Sequence, residues 1–455
     1  MNGGVSFWYR EIGVPARRPP LTRSIDADVC VVGAGYTGLW TAYYLKKADP
    51  GLKVVVVERT FAGFGASGRN GGWLSAALAG SRRRFAATHG RQGVIDLQRA
   101  MNAGVDEVIA VAREEGIEAD IVKSGMLRVA HAPAQLPRLR AQVAAARAWE
   151  DDVTLLDAAQ TSARIDVAGA LGAAYTPHCA RVQPAKLVRG LAGVVEGLGV
   201  PIYESTLVTA IEPHTALTPY GSVRARYVIR ATEGFTAGLA GERRTWLPMN
   251  SSLIVTEPLP DPVWDRIGWT GEELLGDMSH AYVYAQRTAD GRIAIGGRGR
   301  PYRFGSRTDD EGRTQAATVR QLRQALVRLF PATLGIGIAH AWSGVLGVPR
   351  DWCSTAGLDR RTGLGWAGGY VGHGVTTANL AGRTLRDLVL GRDSELTGLP
   401  WVGRRVRKWE PEPLRWLGVQ GMYAAYREAD RQEAGGGRVT TSPIATLADM
   451  VARRE

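Results

Sequence analysis

Between Ala27 and Arg59 the hydrophobic pattern changes period twice. Residues 29–32 form a short unbroken apolar run, residues 36–47 carry apolar side chains at helical spacing, and residues 54–57 form a second unbroken run. Two buried parallel strands joined by a crossover helix need this alternation. Further on, segment 180–213 places Leu187, Leu191 and Val194 on one helix face and follows it with two strands, and 223–230 alternates as a strand. From 245 to 304 the period falls to two, broken by Asp-Gly and Gly-Gly pairs, which predicts antiparallel strands and not further crossovers. There His280, Tyr282, Tyr284 and Gln286 share one face, Ala281, Val283 and Ala285 the other, and Asp290-Gly291 reads as a hairpin turn. Residues 364–367 predict a last strand, which passes through Gly368, Gly369, Gly372 and Gly374 into a helix with Leu380, Leu385 and Leu388 along one face.

The turn after the first strand holds Gly33, Gly35 and Gly38 in the order G-x-G-x-x-G, with Tyr36 and Thr37 opening the helix. The first glycine permits a tight turn, the second lets a pyrophosphate approach the backbone, and the third lets helix and strand pack closely. The helix N-terminus adds free N–H groups and a partial positive charge. Glu58 ends the second strand, where a carboxylate can accept from both hydroxyls of an unphosphorylated adenosine ribose. FAD and NAD share that half. The stretch GFGASGRNGG, residues 63–72, favours FAD, because an extended glycine loop replaces the next crossover helix and can run along a longer cofactor. Gly65, Gly71 and Gly72 allow close backbone approach, Ala66 stays small, Ser67 and Asn70 offer short hydrogen-bonding groups, and Arg69 offers a cation.

The fingerprint, the Glu58-Arg59 pair and GASGRNGG together resemble the FAD-dependent D-amino-acid oxidase and glycine oxidase superfamily. Within it they resemble the group holding the sarcosine oxidases and γ-glutamylputrescine oxidase, and the SFWYRE lead resembles the latter branch. The resemblance implies an α/β fold, α+β overall: a Rossmann-like FAD-binding domain interleaved with an antiparallel-sheet substrate domain. Expected boundaries are 1–85, 155–240 and 335–400 for the FAD-binding domain, 86–154 and 241–334 for the substrate domain, and 401–455 for an extension wrapping onto the FAD side. It also implies that the Val208 backbone meets adenine, that Ala231 and Thr232 form a second nucleotide-side motif in which Glu233 replaces a glycine, and that Gly344, Gly369, Gly372, His373, Gly374 and Val375 face the flavin. A helix N-terminus at the last turn would favour negative charge on a reduced ring.

The implied chemistry is oxidation of a C–N bond by hydride transfer to a non-covalent FAD, followed by imine hydrolysis and reoxidation by O2 to give H2O2; no nucleophile or acid–base pair is required. An FAD-dependent dehydrogenase or oxidase of D- or N-methyl amino acids with another electron acceptor is the alternative. Tyr282, Tyr284 and His373 are the candidate substrate and flavin positioning residues, joined by Trp73 and Trp342 as aromatic neighbours suited to an amine. Three departures from the family matter. Leu346 stands where a carboxylate-clamping arginine is expected, with Arg350 on the same strand face as a substitute. Ala294 stands where an oxygen-assisting lysine is expected, and Cys353 lies two residues beyond Asp351 instead of before it, which argues against a covalent flavin.

Composition changes this picture little. A net charge of +12 raises the question of a polyanion partner, but the basic residues are scattered, with short runs only at Arg82–Arg84 and 404–408, so neither nucleic acid nor an anionic surface is expected as a partner. The three cysteines show no CxxC and no metal-ligand spacing, so no metal is expected, and with no apolar h-region or bilayer-length run the chain reads as cytoplasmic without a transmembrane segment. Residues from about Gly435 read as loosely held.

Overall fold

The computed structural model describes residues 1–297, 299, 301–434 and 439–452, most of whose strands fall into two eight-stranded sheets. The first runs in the order Thr355–Asp359, Leu364–Gly368, Gly221–Arg230, Ile25–Val32, Val54–Val57, Ile202–Tyr203, with a flap of Ala210–Glu212 and Thr215–Thr218 at one end of the Gly221–Arg230 strand. All neighbours along that order are parallel except the first pair. Val54–Val57 is buried at every position, as a strand covered on both faces must be. Helices Tyr36–Ala48, Pro184–Gly197 and Gly374–Leu390 lay Leu39, Trp40, Leu187, Leu191, Leu380 and Leu385 into one core on this sheet, each contributing about 1.5–3 kcal/mol by burial.

The second sheet runs Ile338–Val348, Leu247–Thr256, Ile293–Gly297, Tyr284–Arg287, Leu274–Asp277, Met126–Ala130, Gly172–Thr176, Thr154–Asp157. Its pairs are antiparallel apart from Leu274–Asp277 with Met126–Ala130. The Asp290-Gly291 turn does join two paired strands, with Gly291 at φ +74°, but the strand before it begins only at Tyr284; His280 and Tyr282 lie in the turn ahead of it.

The expected boundaries need correction at three places. Helix Arg82–Glu114 starts on the FAD side of the 85/86 boundary and stays there, because Phe85, Val94, Leu97, Met101, Val105 and Val108 pack into the first sheet's core. Strands Thr154–Asp157 and Gly172–Thr176, expected with the FAD-binding domain, pair in the second sheet. So does Ile338–Val348, antiparallel to Leu247–Thr256. The tail also departs from expectation. Trp401 stays in the first core, but helices Leu414–Ala434 and Pro443–Ala452 pack Val419, Tyr423, Tyr426 and Ala445 against Leu247, Met249 and Val348 of the second sheet. The stripe at 419, 423 and 426 needs an apolar partner, and the second sheet offers one. Ala445 and Ala448 are therefore held by packing; 435–438 and 453–455 lie outside the described residues.

Candidate active site

Gly33 has φ +107°, and a Cβ there would lie 2.6 Å from the Ala231 carbonyl oxygen. A Cβ at Gly38 would lie 1.9 Å from the Gly33 oxygen, so the helix packs on the turn only without a side chain. The Tyr36 N–H donates to Ser67 Oγ at 2.8 Å, which ties the helix start to the glycine loop. Glu58 is half-buried, desolvation pushes its carboxyl above the ordinary value, and each oxygen accepts one N–H at 2.9 Å, from Ala34 and from Thr60. A further lone pair remains on each oxygen. These groups border a cavity that Gly35, Thr37, Arg59, Gly65, Val208, Ala231 and Thr232 also line. Gly372, Gly374 and Val375 at the start of helix Gly374–Leu390 line it as well. Neither that helix nor Tyr36–Ala48 has an acidic residue in its first turn, so both positive ends face the cavity uncompensated.

The glycine loop is placed differently from expectation at two residues. Arg69 is 1% exposed, and its guanidinium donates to the carbonyls of Phe64 at 2.8 Å and Asp310 at 2.7 Å and sits over the Phe64 ring. It clamps the loop from beneath, and burial lowers its pKa to about 10. The Asn70 amide is likewise spent on the loop: it donates to Ser67 O at 2.8 Å and accepts from Gly72 N at 2.8 Å. Sequence reasoning missed what lies under the loop, namely Ser6 donating to Gly68 O at 2.7 Å and Trp8 donating to Asn70 O at 2.8 Å, although SFWYRE was visible as an aromatic lead. Gly38, Gly72 and Gly369 line no cavity and serve packing: Gly72 abuts Gln286 and the Val182 carbonyl, and Gly369 abuts Pro349.

Glu233 occupies the expected glycine position at φ +41°, and the residue is half-buried. It accepts N–H groups from Gly369 at 2.8 Å, Gly347 at 3.1 Å and Tyr370 at 3.2 Å. It thus joins the ends of three chain segments beside the cavity, and burial raises its pKa to about 7.

A second cavity of about 530 Å³ shares Ala66, Asn70, Leu346, Gly372 and Val375 with the first. Arg69, Gly71, Gly344 and His373 line it near this junction, and Trp73, Tyr282 and Tyr284 form an aromatic wall. Tyr284 meets Ser251 Oγ at 2.9 Å and packs edge-on to Trp73. Leu346 lies at the junction itself, and Arg350 does not replace an arginine there: it pairs with Glu410 at 2.9 Å, stacks on Trp409 and lines neither cavity. Trp342 also points away, buried among Phe7 and Trp8 with its N–H on the Arg69 carbonyl. Ala294 is buried in the same cluster. Cys353 is fully buried behind Ser81, with neither cavity reaching it. The distal end carries Arg128, Arg138, Asp277, His280 and Tyr426, none of which the sequence pattern distinguished from ordinary surface residues except His280.

A glycine turn, a half-buried acid ending the second strand and two helix N-termini on one continuous cleft define a flavin-linked dinucleotide-binding oxidoreductase. Residues 28–388 match the family described as FAD dependent oxidoreductase, and the chain belongs to that family, whose members are FAD-dependent. It is 31% identical to gamma-glutamylputrescine oxidoreductase of Escherichia coli over 381 residues, covering 82% of this chain and 85% of that one. It is 21% identical to sarcosine oxidase subunit beta of Rhodobacter capsulatus, covering 71% and 75%. Among solved structures, glycine oxidase from Geobacillus kaustophilus superposes with a TM-score of 0.71 at 21% identity over 84% of this chain and 99% of that one. The residues fit the cofactor: an unphosphorylated ribose suits the two-oxygen acceptor at Glu58, and the uncompensated helix ends suit its anionic portions. No described helix is long and apolar enough to cross a membrane.

Proposed function

We propose that the chain oxidises the C–N bond of an amine of the γ-glutamylputrescine kind, one whose carboxylate, if it has one, is remote from the reacting nitrogen. The observation that carries this reading is Leu346 at the junction of the two cavities, beside an aromatic wall, with the guanidinium of Arg69 held by backbone carbonyls and that of Arg350 paired with Glu410. An α-carboxylate would be desolvated there with neither Arg69 nor Arg350 free to clamp it in a bidentate pair. Gly33, Gly35 and Thr37 would take the pyrophosphate, Glu58 the ribose and the Val208 backbone the adenine. The 65–71 loop, Gly344 and the 372–375 turn would border the ring. Bound FAD supplies a hydride acceptor. The chain's own part is to orient the amine carbon with Trp73, Tyr282 and Tyr284, exclude water from the junction, and hold a positive helix end at the 372–375 turn.

O2 is the proposed acceptor, with H2O2 as its product. Ala294, with no lysine amine, favours a second reading in which another acceptor reoxidises the flavin. Anaerobic bleaching of the visible flavin spectrum by primary, N-methyl and γ-glutamyl amines, with D-amino acids alongside, tests the substrate class. Bleaching by D-amino acids alone would overturn it, and peroxide yield in air separates the two acceptors.

A further inference from the structure

The distal wall of the second cavity includes residues beyond the family match, which ends at residue 388: Tyr426, Thr441 and Asp449. Helix Leu414–Ala434 brings Tyr426 to the cavity lining, with its ring parallel to that of His280 at 6.1 Å. One turn further along, the two Asp430 oxygens accept the backbone N–H groups of His280 at 2.7 Å and Ala281 at 2.9 Å. Glu433, 2% exposed, accepts from His280 Nε2 at 2.8 Å, from Arg138 at 3.1 Å and from the Ser442 N–H at 2.9 Å. At the other end of the same turn, Asp277 accepts from Ser279 Oγ at 2.6 Å and the Val283 N–H at 2.9 Å. Residues 279–283 are therefore gripped at both ends by carboxylates, Asp277 and Glu433 buried and Asp430 half-buried, and Tyr282 rides on them into the cavity. Carboxylates accepting backbone N–H groups form strong, directional bonds, so this grip fixes the turn and does not merely cover it.

We infer that helix Leu414–Ala434 sets the length of the substrate the cavity accepts, with Asp430 and Glu433 as positioning residues that hold the 279–283 turn and Tyr426 as the end stop. The length claim rests on the amine reading above; the grip on the turn does not. The full FAD-loaded chain is compared with Asp430→Asn, Glu433→Gln and Tyr426→Ala on a series of primary amines of rising chain length. Asp430→Asn and Glu433→Gln should raise KM for the longest amines about tenfold, and by a clearly smaller factor for the shortest. Tyr426→Ala leaves both carboxylates in place and should extend the series to bulkier amines. In Asp430→Asn, hydrogen exchange at the 280 and 281 amides should quicken about tenfold.

Equal KM changes for short and long amines, or none, would overturn the length claim. Unchanged exchange at 280 and 281 would overturn the grip. If the unaltered protein oxidises no amine, the amine reading and the length claim fall together, whereas the exchange rates still decide the positioning role.

Discussion

Glu233 offers a prediction whose sign changes with pH. Its carboxyl has an ordinary value of 4.5 and is raised by burial to about 7 in the folded chain, against the pull of three N–H donors. The gap corresponds to about 3 kcal/mol. Below pH 4.5 both folded and unfolded chains hold the proton and the group is neutral to stability. Between 4.5 and 7 the unfolded chain releases it while the folded chain keeps it, so stability falls as pH rises, and above 7 the loss levels off. Glu233→Gln removes this slope. Its carbonyl oxygen can still accept from Gly347 and Tyr370, but its amide nitrogen then faces the Gly369 N–H, at a cost of about 1–3 kcal/mol that does not vary with pH. At pH 5 the unaltered protein should therefore be the more stable, and at pH 8 the variant should match or exceed it. Thermal midpoints of the FAD-loaded proteins, followed by flavin fluorescence at both pH values, measure the gap while other titrations cancel. A gap of the same size and sign at pH 5 and pH 8 would show that the three amides keep Glu233 ionised, and burial would have been weighed wrongly.

Three further outcomes follow from the same geometry. Gly38→Ala, with its methyl 1.9 Å from the Gly33 oxygen, should force the helix off the turn and abolish stoichiometric FAD, read as flavin absorbance per chain. Arg69→Lys cannot reproduce the fork that spans the Phe64 and Asp310 carbonyls, so it should destabilise the protein by about 2–4 kcal/mol in urea titration while leaving the flavin absorption maxima in place. Leu346→Arg would put a guanidinium at the cavity junction, and kcat/KM should shift towards α-amino acids by at least about tenfold relative to amines.

The first βαβ unit was readable in sequence because each requirement is local: Gly33, Gly38 and Glu58 lie within one supersecondary unit, and their geometry follows from that unit alone. Arg69 and Asn70 do line the cleft, but the loop's own carbonyls and amides engage their side chains, which the sequence did not foretell. An arginine between glycines signals a cation, but whether its donors meet a ligand or a carbonyl depends on Asp309–Asp310 strands away in sequence. Glu233 was noticed as a mismatch, yet its three amide donors come from residues 347 to 370. The sheet assignments failed at 154–157, 172–176 and 338–348 because an alternating strand carries no mark of which sheet it joins. The tail helices read as an extension, and nothing in their own period could say that Tyr426 would reach a cavity edge.

The contact between Gly71 and the second sheet ties the two halves of the cleft together. Its carbonyl is held by Gln286 Nε2 at 2.6 Å, and its missing side chain is the space where the Tyr284 ring lies. The loop and the aromatic wall thus bear directly on each other, so whatever hold an occupant of one compartment adds to the other is returned by an equal free energy. A tight, redox-inert occupant of the aromatic compartment should accordingly slow the escape of the nucleotide, and chains stripped of that nucleotide should lose affinity for it in the same proportion.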